Sequence, residues 1–251
     1  MKTAIVCAQK DEASKNILNS LKEIGAPSWA EIYEFDTDTL VLPLDKCKEE
    51  DIIVLSKHKS SAGTKSLTTH SLGNFGKADF GGIEKKLCSS LPRIQTNFLR
   101  GLTARNKSDE YTVCYEVTHH GPYTKKNVCF IELGSSIYEW NNKDEARVIA
   151  QTVIEDTQKE NDDKIVIGFG GGHYAPEFTK LALRKPYSFG HICPQYALDD
   201  LDADLLEQMI TKTGAQEIII DWKGLKGNKD KVVSLCEKSG LPFERVQRLL
   251  K

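Results

Sequence analysis

Short apolar runs alternate along the chain with segments in which apolar residues recur every three or four positions. Residues 3–8 are an apolar run typical of a buried strand, and residues 11–24 follow with helical spacing. Further strand and helix candidates lie at 51–55, 143–157, 164–169, 188–193, 202–213, 217–221 and 229–239. This alternation predicts an α/β fold with a mixed, mostly parallel central sheet flanked by helices.

Three stretches between these elements differ in pattern. Residues 111–118 and 127–133 both alternate like strands, and Gly121-Pro122 supplies turn chemistry between them, which predicts a hairpin. Residues 66–82 have no sustained period and are predicted to be an ordered functional loop. Residues 56–65 are polar and basic and follow a predicted strand end, a common location for functional loops in α/β folds.

The size of the chain and its cysteines bear on organisation and location. Its 251 residues, 39% hydrophobic and 28% charged, fit a single globular domain over residues 1–251. The longest apolar runs are far below the roughly 18 residues needed to span a bilayer, and no export signal is visible. The seven cysteines are scattered, with no CxxC pair, which favours reduced thiols and a cytoplasmic protein.

Positive charge is concentrated in one part of the chain although the net charge is −2. Residues 57–126 carry twelve Lys/Arg against five Asp/Glu, whereas the segments on either side are acidic. Such segregation is what a phosphate-rich partner requires, because backbone contacts supply most sequence-independent affinity for nucleic acids. An uneven solvated surface is the alternative.

All six histidines lie outside the predicted helices, at strand ends or in polar stretches that contain glycine. They are His58, His70, His119, His120, His173 and His191. Histidine at such positions transfers protons near neutral pH or binds a divalent metal. The alternative for each one is a ring that only hydrogen-bonds the loop backbone.

Three local motifs carry most of these histidines. Glu116 precedes the pair His119-His120, where a carboxylate orients an imidazole or completes a metal shell. Residues 170–172 are three glycines directly before His173, a turn that lets backbone N–H groups approach an anion. His191 ends another short strand. HExxH, GxSxG, GxGxxG and the P-loop pattern are all missing from the sequence, so metal binding remains open on the residues alone.

Six ordered blocks resemble the archaeal and plant type of D-aminoacyl-tRNA deacylase. The blocks are LSKHKSSAG (55–63), THSLGNFG (69–76), EVTHHGP (116–122), IELGSS (131–136), IGFGGGHYAP (167–176) and SFGHICPQYAL (188–198). The resemblance implies hydrolysis of the ester between a D-amino acid and the tRNA 3′ end, and Zn²⁺ dependence. It also implies a monomer with a fold similar to phosphorylase-like peptidyl-tRNA hydrolases. The matching motif residues are His58, His70, Glu116, His119, His120, His173 and His191.

Within this resemblance we predict roles for the motif residues. His119, His120, His173 and Glu116 are the predicted catalytic residues, acting as metal ligands or as the base. Metal ligation is predicted for His119, His173 and His191. Substrate binding is predicted for Lys57, His58, Lys59, His70, Gly170, Gly171 and Gly172, with the glycine amides holding the oxyanion and Lys57, Lys59 and Lys65 contacting phosphates.

Two other functional classes stay open at this stage. A non-catalytic RNA-binding module would account for the basic segment but not for the histidines. A metal-dependent amidohydrolase or peptidase on small substrates would account for the histidines but needs no basic segment, so a strong loss of activity with salt would count against it.

Overall fold

The computed structural model of the protein describes residues 2–251. The strands across these residues are β1 (Thr3–Ala8), β2 (Ala30–Phe35), β3 (Asp51–Lys59), β4 (Ser66–His70), β5 (Thr112–Tyr115), β6 (Asn127–Ser135), β7 (Lys164–Phe169), β8 (Tyr187–Cys193), β9 (Glu217–Ile220) and β10 (Phe243–Arg245). The helices are α1 (Glu12–Ile24), α2 (Pro92–Arg105), α3 (Ile137–Trp140), α4 (Lys143–Asp156), α5 (Pro176–Arg184), α6 (Ala203–Thr213), α7 (Lys229–Ser239) and α8 (Val246–Leu249).

The larger sheet has the strand order β2-β1-β3-β6-β4-β5. Strands β2, β1, β3 and β6 pair in parallel, whereas β4 pairs antiparallel with β6 and parallel with β5. The sheet is therefore mixed, with two strands running against the other four.

Both faces of the larger sheet are covered, and strand alternation decides which residues point where. Ile53 and Leu55 of β3 pack with α1, α2 and α4 on one face. Ile52 and Val54 of the same strand point to the other face, where Leu42 and Leu44 from the connection after β2 cover them. The part of this second face that Leu42 and Leu44 leave uncovered carries a cluster of polar side chains.

The smaller sheet has the order β10-β9-β7-β8, and all of its pairs are parallel. Ile167 and Phe169 of β7 pack with α6 and α7 on one face, and Val166 packs with α5 on the other. The chain after β5 joins the two sheets, because the Val117 N–H donates to the His173 carbonyl (2.9 Å) and the Thr118 N–H to the Ile192 carbonyl (2.9 Å).

The predicted α/β class with a mixed, mostly parallel sheet is confirmed, while three local predictions are wrong. The hairpin of 111–118 with 127–133 does not form, because β4 lies between β5 and β6. Residues 66–70, predicted as loop, form β4, since they complete hydrogen bonding on both neighbours. Strand β3 continues to Lys59 through the predicted loop 56–65, so His58 lies in a strand. No helix within residues 2–251 is both long and apolar enough to cross a membrane.

Candidate active site

Strand register places four ionisable side chains on the same face of the larger sheet. Ser56 pairs with Glu132 and His58 with Gly134 across β3 and β6, and Thr68 pairs with Glu132 across β4 and β6. Thr68 also pairs with Cys114 of β5, so His70 and Glu116 continue two residues further on that face. The face therefore carries His58, His70, Glu116 and Glu132.

Gly134 makes room for His58. A Cβ atom at Gly134 would lie 2.9 Å from both Cβ and Cδ2 of His58, and 2.6 Å from the Ser66 hydroxyl. Contacts this short are repulsive, so only glycine permits the imidazole to lie flat against β6. The other side of the His58 ring bonds Tyr174, with 3.1 Å between Nε2 and the phenol oxygen.

Glu116 is buried at the centre of the cluster and meets imidazoles from three segments. Its Oε1 lies 3.0 Å from Nδ1 of His58, and its Oε2 lies 2.8 Å from Nε2 of His173 and 3.5 Å from Nε2 of His119. The His173 ring reaches Glu116 from the turn after β7, in the smaller sheet. The site is thus assembled from both sheets.

Three imidazoles are each held by a backbone carbonyl at Nδ1. The Nδ1 atoms lie 3.1 Å from the Ser71 carbonyl for His70, 2.8 Å from the Val117 carbonyl for His119 and 2.6 Å from the Gly121 carbonyl for His120. An Nδ1–H that donates to a carbonyl fixes the ring and leaves Nε2 for another partner. The ring centroids of His70 lie 4.3 Å from His119 and 4.9 Å from His120, so the three rings face a common space.

The charges within the cluster are divided between its two sides. Burial opposes a charge on His58, but the adjacent carboxylates of Glu116 and Glu132 outweigh it and raise the pKa of His58 to about 11. Burial would raise the pKa of Glu116, yet the surrounding imidazoles hold it well below its usual range. On the other side, burial and then the charge of His70 lower the pKa of His120 to about 4, and they lower that of His119 as well. Two imidazoles are therefore neutral at pH 7 and able to act as ligands or bases.

Several polar atoms of the cluster are buried without a hydrogen-bond partner. They are both carboxylate oxygens of Glu116, Oε1 of Glu132 and Nε2 of His70, whose contacts are close but poorly directed. Buried polar atoms without partners are costly, and a bound ion at this position would satisfy them. Three overlapping groups have one ligand atom per residue within 4.8 Å of the others: His70-His119-His120, His58-Glu116-His173 and His70-Glu116-Glu132. These His/Glu groups could hold a metal ion.

The glycine run before His173 is used mainly for packing. Gly170 donates its N–H to the Cys193 carbonyl (2.9 Å) and Gly171 to the Gly224 carbonyl (3.4 Å), so these two amides do not fit the predicted oxyanion role. A Cβ at Gly170, where φ is +103°, would lie 2.8 Å from the Asp221 carbonyl. Gly172 is exposed, and no backbone group of residues 2–251 accepts from its N–H.

The structure does not bring His191 together with the other five imidazoles. Its Nε2 lies 2.9 Å from the Cys88 carbonyl and its Nδ1 lies 3.0 Å from the Thr118 hydroxyl. Both ring nitrogens thus have protein partners in a fully buried position, and none of the three metal-competent groups includes His191. The predicted ligand role does not fit this environment, and the ring instead supports the segment that carries His119.

The three lysines predicted to contact phosphates differ in their ion pairing. Lys57 pairs with Asp38 (3.3 Å) and Lys65 pairs with Glu110. Lys59 is exposed and has no ion-pair partner among residues 2–251. Of the three, Lys59 carries a charge that is not already compensated.

Sequence reasoning missed two residues of the cluster, Glu132 and Tyr174. Glu132 interrupts the apolar run 128–133, and a carboxylate inside a buried strand is a signal in itself. Tyr174 follows His173 directly, and nothing in the sequence indicates that its hydroxyl bonds His58, 116 residues away.

The chain is similar to known proteins, in sequence and in structure, over most of its length. Residues 46–244 match the sequence profile of the D-aminoacyl-tRNA deacylase family. The D-aminoacyl-tRNA deacylase of Methanocaldococcus jannaschii is 40% identical over 98% of this chain and 100% of its own length. That of Archaeoglobus fulgidus is 32% identical over 98% of this chain and 97% of its own. A crystal structure described as a conserved protein of unknown function, AF0625, superposes with a TM-score of 0.93 at 29% identity, covering 99% of this chain and 96% of that one.

Proposed function

Because the chain belongs to the D-aminoacyl-tRNA deacylase family, we propose that it hydrolyses the ester bond of D-aminoacyl-tRNA at the cluster around Glu116, releasing the free D-amino acid and tRNA. The observation that carries this assignment is the buried Glu116 carboxylate, contacted by His58, His119 and His173. Ester hydrolysis needs a positioned water, a base and a group that stabilises the tetrahedral oxyanion.

Zn²⁺ is the metal that we propose for the cluster, held by Nε2 of His70, His119 and His120. Their Nδ1–H groups already donate to backbone carbonyls, which is the orientation of imidazole ligands in catalytic zinc sites. Glu132 raises the pKa of His70 in spite of burial, so zinc would displace a proton there. Bound zinc would polarise the ester carbonyl and acidify a water molecule.

His173 is the residue that we propose as general base. Its side chain is 34% exposed, while Nε2 contacts Glu116 at 2.8 Å. A carboxylate on one ring nitrogen fixes the tautomer and leaves the other nitrogen for a water or the substrate. Glu116 and His58 then serve as the charged pair that holds His173 in position.

The oxyanion and the phosphates need donors at the rim. The Gly172 N–H is the one amide of the glycine run that lacks a backbone acceptor, so we assign the oxyanion role to it alone. Lys59 is the phosphate contact favoured among the three lysines, because its charge has no carboxylate partner within the described residues.

The oligomeric state and the cellular location complete the proposal. We propose a monomer, as the resemblance to the family implies. We propose a cytoplasmic location because all seven cysteines are free and buried, as expected in a reducing compartment.

Deacylation of D-tyrosyl-tRNA by the purified protein tests the assignment. His119→Ala, His120→Ala, His173→Ala and Glu116→Gln should each lower kcat/KM by roughly 100-fold or more, as loss of a general acid–base or metal-binding group does. Glu177→Gln is the matched control, since Glu177 lies in the first turn of α5, outside the cluster.

Elemental analysis separates the two proposed roles. His70→Ala and His119→Ala should lose bound zinc, whereas His173→Ala should keep it and lose activity. Full deacylation by all three cluster histidine variants would show that the reaction takes place elsewhere.

A further inference from the structure

Two aromatic rings stand exposed on segments that border the cluster. Phe80 is 69% exposed and Tyr196 is 58% exposed. Neither ring takes part in the chemistry proposed above.

The backbone around Phe80 is fixed next to His120. The Gly121 N–H donates to the Phe80 carbonyl at 3.1 Å. The Asn74 side-chain amide holds the next carbonyl, that of Gly81, at 2.9 Å. A Cβ at Gly82 would lie 3.2 Å from the Gly121 Cα, so the loop packs directly against the residue that follows His120. The backbone that carries the exposed Phe80 ring is therefore held beside His120.

Tyr196 is anchored next to His173 in a similar way. The Gln195 N–H donates to the Gly171 carbonyl at 2.9 Å, two residues before His173. Desolvation, followed by the charges of Cys193 and Glu116, raises the pKa of Tyr196 to about 12 even though much of the ring is exposed. The phenol therefore stays neutral at pH 7.

The two segments are joined to each other. Lys85 and Asp202 form an ion pair of 3.1 Å. A Cβ at Gly76 would lie 2.7 Å from a carboxylate oxygen of Asp200, so the backbone of one segment packs on the other. Phe80 and Tyr196 therefore lie on two joined segments, each bonded to the backbone beside a cluster histidine, and we call this pair of rings the aromatic wall.

The chemistry of the aromatic wall favours nucleobases over phosphates or a protein partner. Asp199, Asp200 and Asp204 follow Tyr196 closely in the chain, and negative charge on this segment disfavours a phosphate backbone. Two rings are far less than the roughly 800 Å² per partner of a stable protein interface. Flat, neutral rings that stand free in water match the faces of unpaired bases, which stack on aromatic side chains.

We propose that Phe80 and Tyr196 stack on the unpaired nucleotides at the 3′ end of the tRNA and so hold the ester at the cluster. This inference rests on the proposed function, because the ester must reach Glu116 and His173 while the adjoining bases lie beyond them. The wall would recognise single-stranded RNA through base faces and leave the phosphates to basic residues elsewhere on the rim.

Steady-state deacylation of D-tyrosyl-tRNA by single variants tests the aromatic wall. Phe80→Ala and Tyr196→Ala should each raise KM roughly 5- to 100-fold with kcat nearly unchanged, the range expected for loss of one stacking contact. Phe80→Tyr and Tyr196→Phe should retain the KM of the unaltered protein, because they keep the ring. Phe243→Ala, an exposed ring (38%) on the edge strand β10, is the matched control.

Uncharged tRNA with 2-aminopurine as its terminal base supplies a readout that does not depend on turnover. Stacking should quench its fluorescence on binding the unaltered protein and the Phe243 variant, and quenching should weaken in both alanine variants of the wall. Unchanged KM and unchanged quenching in those two variants, with deacylation intact, would overturn the aromatic wall alone. Quenching without any deacylation by the unaltered protein would support the wall and overturn the proposed function.

Discussion

His191 shows, at the scale of one residue, how a histidine supports a site without belonging to it. Its ring joins the Cys88 carbonyl to the Thr118 hydroxyl, and that hydroxyl also accepts the Ile192 N–H at 3.1 Å. Thr118 directly precedes His119, so the position of that imidazole depends on a neutral, fully buried ring.

Protonation of the His191 ring should make the stability of the protein depend on pH. Burial lowers the pKa of His191 to about 4, against about 6.5 in the unfolded chain, so acid protonates the unfolded state first. Above pH 6.5, His191 therefore contributes about 3 kcal/mol to the free energy of unfolding. This contribution is lost as the pH falls towards 4. Urea unfolding at pH 7.5, 6.0 and 4.5 should show that the difference between the unaltered protein and His191→Gln shrinks with acidity. A difference in the free energy of unfolding that stays the same at all three pH values would contradict this expectation.

Tyr174 gives a second prediction at this scale. Its hydroxyl is 3.1 Å from Nε2 of His58, which in turn contacts Glu116. Tyr174→Phe should lower kcat about fivefold, because one hydrogen bond of about 1 kcal/mol stops orienting His58. Steady-state kinetics with D-tyrosyl-tRNA measure the change, and Tyr138→Phe, a hydroxyl on an 84% exposed ring, should have no effect. An equal loss in both variants would argue against a positioning role.

At the scale of elements, those whose position depends on the local apolar pattern could be predicted from the sequence, whereas those that depend on strand pairing could not. Strand β7 and helices α4, α6 and α7 were predictable to within a residue or two from apolar spacing and caps, such as Asp202 before α6. Strand β4 was not, because Ser66–His70 has no alternation and becomes a strand only through its neighbours β5 and β6.

The same limit applies to the candidate site. His119, His120, His173 and Glu116 were identifiable from their residue types beside turns, and the structure brings them together. The partner of each ring was not identifiable, because the register that places Glu132 beside His58 and His70 is set by long-range pairing.

The turn between β7 and α5 supports a prediction about this element. Gly170→Ala should destabilise the protein by about 2 kcal/mol or more, because a Cβ there meets the Asp221 carbonyl at a strained φ. Gly172→Ala, two positions away, meets nothing within 4 Å and should change the melting temperature little. Thermal unfolding by circular dichroism distinguishes the two, and equal melting temperatures would show that the loop after β9 does not constrain the turn.

For the whole molecule, the two sheets are expected to unfold together. Residues 117 and 118 bond both the His173 turn and β8, and the Ser71 hydroxyl donates to the Gly190 carbonyl at 3.1 Å. Because backbone hydrogen bonds cross between the sheets, we propose that residues 1–251 form one cooperative domain.

Equilibrium urea unfolding tests this proposal with two local probes. Trp140 lies against the larger sheet and Trp222 against the smaller one. In a Trp29→Phe background, Trp222→Phe leaves Trp140 alone to report and Trp140→Phe leaves Trp222 alone, and both fluorescence transitions should coincide with the transition measured by circular dichroism. Separate midpoints for the two reporters would instead indicate two independently stable units.

The junction between Val117 and His173 has a consequence for the order in which the protein is made. The larger sheet is complete once residue 135 has left the ribosome, yet at that moment Glu116 still lacks the imidazole of His173. The turn that carries His173 packs against Asp221 and Gly224. A nascent chain therefore cannot hold His173 against Glu116 in its final setting until residues 221–224 have also been made.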